Sequence, residues 1–162
     1  MPMNTNETLI HSFYSSFQQL NAEGMKACYH PEVKFSDPAF PDLKGEEVGA
    51  MWSMLMDTLK KNPIDWKLEF NNIKADDLSG SCRWEAQYMF SLTGRRVHNI
   101  IDAKFEFKDG KIITHTDTFD FYRWTRMAFG MTGVLLGWTP FFKKKVQATT
   151  RKRLDGFMKR NG

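Results

Sequence analysis

Along this chain the apolar positions fall first at helical and then at strand spacing. Asn4, with Glu7 three residues on, has the form of a capping box, and Leu9, Ile10, Phe13, Phe17 and Leu20 follow at three–four spacing. That predicts an amphipathic first helix lying over whatever the sheet encloses. A shorter helical segment, Glu23 to Tyr29, should end at His30-Pro31, since proline disfavours helical geometry in the residue before it. Val33, Phe35 and Asp37 alternate on one face of a short strand that stops at Pro38. Val48, Met51, Trp52, Leu55 and Leu59 mark a second long helix over Gly45 to Lys61, closed by Asn62-Pro63.

Period-two alternation then takes over. Trp66, Leu68 and Phe70 form one apolar face, and Trp84, Ala86, Tyr88 and Phe90 a second. After Gly94-Arg95-Arg96 comes a third, of Val97, Asn99, Ile101, Ala103, Phe105 and Phe107, backed by His98, Asp102, Lys104 and Glu106. Asp109-Gly110 is a strong hairpin signal. The strand after it carries Ile113, His115, Asp117, Phe119 and Phe121 on one side, so an imidazole and a carboxylate interrupt an apolar face. An acid on a buried face must be paired, hydrated or used, and such a face suits a cavity wall. Helices followed by a meander of strands predict an α+β domain with a curved antiparallel sheet and the N-terminal helices on its concave face.

Composition supports this picture. Hydrophobic residues make up 41% of the 162 and aromatic ones 14%, enough for a packed core with aromatic surface to spare. No repeat or low-complexity stretch divides the chain, which reads as one domain over residues 1–121 with a C-terminal helical extension over 122–162. Cys28 and Cys82 lack the spacing of a zinc site or disulfide framework and read as structural thiols. The start lacks a basic and an apolar leader segment, and the apolar stretch from Val134 to Trp138 is too short to span a bilayer. A soluble cytoplasmic protein is expected.

Charge is uneven. From Thr139 to Gly162 eight basic residues stand against Asp155, a net +7, which leaves −3 on the other 138 residues. Thr139-Pro140 has the form of a helix start, and Phe142, Val146, Thr149, Leu154, Phe157 and Met158 make a loose stripe opposite Lys143 to Lys145 and Arg151 to Arg153. Such a helix could be a lid over the cavity, a dimer arm or an interfacial helix on anionic lipid, or simply a packed helix with a solvated basic face.

Candidate chemistry centres on three groups. Asp37 shares a face with Val33 and Phe35, where desolvation raises a carboxyl toward a useful base; an Asx turn ahead of Pro38 is the plainer reading. His115 and Asp117 lie about 7 Å apart along a strand, close enough to act on one ligand, with Asn99 and Tyr88 as hydrogen-bond donors from adjacent faces. An internal network joining sheet to helix is the alternative. Trp84 and Trp52 complete the ligand-binding set from a strand face and the second long helix. The four histidines show no ligand spacing, so no metal is expected, and no nucleophile motif or phosphate loop is visible. Met51, Met54 and Met56 suit core or an adaptable cavity wall. Nucleic acid is not an expected partner, since the aromatic residues face inward and the basic ones cluster on one helix.

Three stretches carry a family resemblance: Tyr29 to Pro38 with its Asp-Pro step, the hairpin Phe105 to Ile112, and the polar strand His115 to Asp120. Over roughly residues 5 to 121 the chain resembles the nuclear-transport-factor-2-like superfamily, which includes ketosteroid isomerases and SnoaL-like polyketide cyclases. The resemblance implies a cone-shaped fold, a homodimer, no cofactor, and a small apolar or polycyclic ligand. It puts Asp37 at the isomerase general base, Tyr14 at the oxyanion tyrosine and Asp117 at the cyclase acid/base. The second isomerase acid is missing, because Ala103 takes its place and Asp102 turns outward. The arginine of limonene-epoxide hydrolases is replaced by Ile100. The expected function is therefore small-molecule binding with acid/base catalysis of isomerase, cyclase or hydrolase type. A non-catalytic ligand-binding or dimeric interaction module is the alternative, with a membrane-surface role through the basic helix after it.

Overall fold

A computed structural model describes residues 3–162. Helix α1 (Thr5–Gln18) starts at the expected cap: the Asn4 side chain accepts from the Asn6 amide at 2.7 Å, and Glu7 accepts from the Asn4 amide at 3.1 Å. After α2 (Ala22–Lys26) come strands β1 (Tyr29–Ser36) and β2 (Leu43–Lys44), helix α3 (Glu46–Lys60) and a single 3-10 turn at Pro63–Asp65. Strands β3 (Lys67–Ala75), β4 (Ser79–Phe90), β5 (Arg95–Lys108) and β6 (Lys111–Thr118) form the expected meander. Three more helices follow, α4 (Phe121–Phe129), α5 (Met131–Leu136) and α6 (Pro140–Asn161). The β5–β6 turn has positive φ at both Asp109 and Gly110, as a two-residue hairpin requires.

The six strands lie in the order β2-β1-β6-β5-β4-β3, antiparallel except where β1 runs parallel to β6. The sheet is curved and unclosed, with α1 and α3 against its inner face. Their buried residues, among them Ile10, Phe13, Phe17, Met51 and Trp52, meet Leu68, Trp84, Ile101, Ala103 and Phe105 in one core. The outer face is polar and ion-paired: Arg83 grips Asp102 through Nε and Nη2 at 3.0 and 3.2 Å, and His98 meets Glu85 at 2.9 Å.

Local placement differs from the alternation at three points. Tyr29, read as helical, opens β1, because Pro31 cannot continue a helix and Tyr29 pairs with Ile112 of β6. A bulge between β5 and β6 turns Ile112 inward in place of Ile113. The last strand ends at Thr118, so Phe121 begins α4 instead of extending the inner face. The stretch from 122 to 138, read as part of a helical extension but without helix bounds of its own, forms most of α4 and all of α5. Helix α6 starts as expected, with the Thr139 hydroxyl accepting from the Phe142 amide at 3.2 Å and Pro140 in the first turn. It buries Phe142, Val146 and Leu154.

Candidate functional site

Sheet, α3 and α6 enclose a cavity of about 300 Å³, at the small end of the range for ligand sites. Its wall is mainly apolar and aromatic, with Trp52, Trp66, Trp84 and Trp124 prominent, and Phe17 from α1 and Met54 from α3 beside them. Asp37, Tyr88, Asn99 and Asp117 project polar side chains from this wall, beside Thr58 and Ser91. Helix α6 closes one side with Phe142, Lys145, Val146, Thr149, Thr150 and Arg153. It is fastened over the Asp37 loop by Gln147 Nε2 to the Pro38 carbonyl at 3.0 Å and Thr150 Oγ1 to the Ala39 carbonyl at 2.6 Å, and to α3 by Arg151 to Glu47 at 2.6 Å.

Asp117 is held from behind. Its Oδ1 accepts from His115 Nε2 at 2.9 Å and from Trp84 Nε1 at 3.4 Å. The other imidazole nitrogen, Nδ1, meets Tyr29 Oη at 2.8 Å, and Tyr29 Oη accepts from Trp52 Nε1 at 2.9 Å. Donor direction fixes the protons in this chain. The indole of Trp52 can only donate, so the Tyr29 hydroxyl turns its own hydrogen to Nδ1, and the imidazole proton sits on Nε2, facing the carboxylate. Every donor in the relay then has an acceptor.

His115 is fully buried and ringed by Phe105, Phe35, Phe13 and Tyr29, at centroid distances of 4.5, 4.9, 5.5 and 6.0 Å. It lies outside the cavity wall, so of the two side chains expected to flank a ligand only Asp117 faces the hollow. Tyr14 also lies behind the wall. It is fully buried against Phe13, Phe70 and Trp84, its hydroxyl has no hydrogen-bond partner among the described residues, and burial raises its pKa well above the usual phenol value, with the Asp117 charge adding to the effect.

Asp37 combines the two readings the sequence left open. It follows β1 directly, and its Oδ1 accepts from the amides of Ala39 and Phe40 at 2.7 and 2.6 Å, capping the turn around Pro38. It also faces the cavity. Parallel register pairs Phe35 with His115 and Ser36 with Thr116, so one further step sets Asp37 beside Asp117. Desolvation pushes its carboxyl up to about 7, with the Asp117 charge raising it and the two turn amides pulling it down. Tyr88 is pushed up to about 12, chiefly by burial, and its hydroxyl accepts from Trp124 Nε1 at 3.0 Å. Asn99, 6% exposed, faces the hollow with no side-chain hydrogen bond among the described residues.

Of the sequence-derived residues, Asp37, Asp117, Asn99, Tyr88, Trp84 and Trp52 thus share one cavity, while His115 and Tyr14 stand outside it. Sequence reasoning missed Tyr29 and Trp124, and gave the C-terminal helix as a lid over the cavity only as one of several roles. Tyr29 was legible, since it shares odd parity with Val33 and Phe35 and lies two residues before Pro31. Among the described residues no three His, Cys, Asp or Glu side chains gather as metal ligands. Both cysteines are buried free thiols.

A family model described as SnoaL-like domain matches residues 10–115. The search of curated proteins finds no match. Among solved structures, a nuclear-transport-factor-2-like protein of unknown function from Burkholderia pseudomallei is 15% identical, with 78% of this chain and 98% of that one covered and a TM-score of 0.65. TerC, co-crystallised with polyporic acid, is 16% identical, covering 78% and 100%, at a TM-score of 0.64. An LEH-like epoxide hydrolase from M. tuberculosis is 16% identical, covering 82% and 96%, at a TM-score of 0.60. At these identities the likeness is one of fold.

Proposed function

The chain belongs to the SnoaL-like domain family, and on that footing we propose that its cavity binds a small apolar, ring-containing molecule and moves a proton on it by acid–base chemistry of isomerase or cyclase type. One observation carries this reading: on an otherwise apolar wall, one oxygen each of Asp37 and Asp117 and the amide of Asn99 are left without protein partners. These residues border the cavity, and a ligand carrying a carbonyl or hydroxyl would pair with their free polar atoms.

Asp37, present in both protonation states near pH 7, suits a general base. In the simplest scheme it removes a proton from the carbon next to a ligand carbonyl, Asn99 donates to the oxygen where negative charge develops, and the same carboxyl returns the proton further along the conjugated system. The double bond moves and no atom is gained or lost. Asp117 serves as the fixed second carboxylate, oriented by His115 as a positioning residue. The step draws on these residues alone.

The test uses 2-naphthol, a bicyclic phenol, read through the emission of the cavity tryptophans. Saturable binding is expected, and Asn99→Leu should weaken it about tenfold, the value of one good hydrogen bond. Polyporic acid, epoxides and cyclic enones come next as candidates. Proton exchange at the α-carbon of a cyclic enone in heavy water, followed by NMR, then tests catalysis. Absence of saturable binding across this set refutes the proposal.

A second reading is favoured by the way Asp37 caps its own turn: the carboxyl then holds the loop, and the cavity only carries its ligand. Binding retained in Asp37→Asn, with no exchange even in the wild-type protein, would select it. A homodimer, implied by the family, is a separate proposal that light scattering tests; a monomer at micromolar concentration would rule it out.

A further inference from the structure

Helix α5 packs with its apolar side outward. Gly133 and Gly137 approach Thr125 of α4 so closely that a Cβ on either would collide with that residue's carbonyl oxygen or hydroxyl. The small face is therefore the buried one. Met131, Leu135, Trp138 and Phe141 stand in solvent at 71, 63, 68 and 76% exposure. Single exposed apolar residues are ordinary, but a contiguous set marks a contact surface, and a soluble helix normally buries such residues.

The surrounding charge identifies the partner. Between Phe121 and Leu154 the chain carries eight basic residues and no acid. Lys144 and Lys145, both exposed, follow Phe141 by three and four residues and so share its helix face. Arg126, also exposed, lies 4.7 Å over the Tyr122 ring, whose hydroxyl donates to the Val134 carbonyl at 3.0 Å, and so borders the ridge from α4. A second copy docked here would set two basic sectors against each other, whereas an anionic bilayer surface is complementary to both the charge and the Trp, Phe and Leu side chains. No helix of the described residues is long and apolar enough to cross a membrane, so the contact lies in the plane of the surface. From Phe141 the same helix face continues at four-residue steps through Lys145, Thr149 and Arg153, and those three line the cavity.

We propose that the α5–α6 corner docks on an anionic lipid bilayer, with Leu135, Trp138 and Phe141 in the headgroup boundary and Arg126 and Lys144 against lipid phosphates, and that the cavity takes its apolar ligand from that surface along α6. The docking stands independently of the chemistry proposed for the cavity.

Co-sedimentation of the full chain with phosphatidylcholine vesicles, with and without phosphatidylglycerol, at low and high salt, tests it. Binding is expected to the anionic vesicles only and to be lost at high salt. Trp138 emission should move to shorter wavelength and be quenched by brominated acyl chains. Arg126→Gln and Lys144→Gln should each lower partitioning about fivefold, and the double variant Leu135→Ser, Trp138→Ser should abolish it. These side chains are exposed, so circular dichroism and 2-naphthol binding in solution should stay as in the wild type, which separates a failure of docking from a failure of the ligand reading. Absence of sedimentation at low salt, equal binding to neutral vesicles, or a dimer in light scattering that Trp138→Ser splits would each overturn the proposal, the last by making the ridge a subunit interface.

Discussion

Replacing Asp37 by asparagine isolates the electrostatics of the cavity. The amide oxygen can still accept from Ala39 and Phe40, so the turn keeps its cap, but the side chain can no longer ionise. In the native protein the carboxyl is raised from 3.8 to about 7, first by desolvation. The sign follows from proton counting: between about pH 4 and pH 7 the unfolded chain has released this proton while the native chain still holds it. Native stability therefore falls as pH rises through that window and levels off above it. At about 1.4 kcal/mol per pH unit, the wild type loses roughly 2.5 kcal/mol from this group between pH 5 and pH 8, an upper figure given that the carboxyl borders a cavity open to water. Urea denaturation of both proteins at pH 5, 6, 7 and 8 should show Asp37→Asn gaining on the wild type steadily and then running parallel to it. Asp37 is the one ionisable group that differs between the two proteins, so contributions common to both cancel in the difference. A flat difference across the series would mean that Asp37 ionises at an ordinary pH, and its role as a base near neutrality would go with it.

Three further substitutions probe the surroundings. Tyr14→Phe removes a fully buried hydroxyl without a partner and should be neutral or stabilise by about 1–3 kcal/mol; a loss of stability in denaturant would mean that the hydroxyl is satisfied in solution. Gly133→Ala sets a methyl against the Thr125 carbonyl and should cost about 1–3 kcal/mol as overpacking, seen as a Tm lowered by several degrees, while Ala at exposed Thr132 changes little. His115→Leu leaves the Asp117 anion and the Tyr29 hydroxyl short of partners in the core and should cost about 3–5 kcal/mol; a milder effect in urea would show that water replaces the imidazole.

Much of this fold could be read from the chain because its two periodicities are clean. The three-four spacing of Ile10, Phe13 and Phe17, the alternation from Val97 to Phe107, and the Asp109-Gly110 turn each specify an element locally, and the structure builds each of them. Side-chain parity also brought Asp117, Asn99, Tyr88 and Trp84 to one cavity. Depth within the cavity was not legible. Alternation assigns a side of the sheet but not whether a helix covers that spot, and α1 with Phe13 seals His115 and Tyr14 away from the hollow that Asp117 reaches. The bulge at Ile113 and the parallel pairing of β1 with β6 depend on partners distant in sequence. Helix α5 escaped for the opposite reason: its buried face consists of glycines, which give no apolar signal.

The relay behind Asp117 links these levels. Trp52 comes from α3, Tyr29 from β1, and His115 and Asp117 from β6, so one chain of hydrogen bonds joins helix to sheet through the parallel pair of strands. Because an indole N–H can only donate, the polarity of the relay is set at its helical end, and each later group has one protonation pattern that leaves no buried donor unpaired. An arrangement whose only task was to fill the core would be cheaper with apolar side chains, since a satisfied buried network gains little over well-packed hydrophobic residues of similar volume. What the relay adds is direction: it delivers an anion with one oxygen occupied and the other turned to the cavity. Asp37, one strand over, meets that anion as a neighbouring like charge, and its raised pKa is partly a consequence. Asp37 can therefore hold a proton near pH 7 beside a second carboxyl that His115 and Trp84 fix in place, so two chemically alike acids face one cavity from unlike environments.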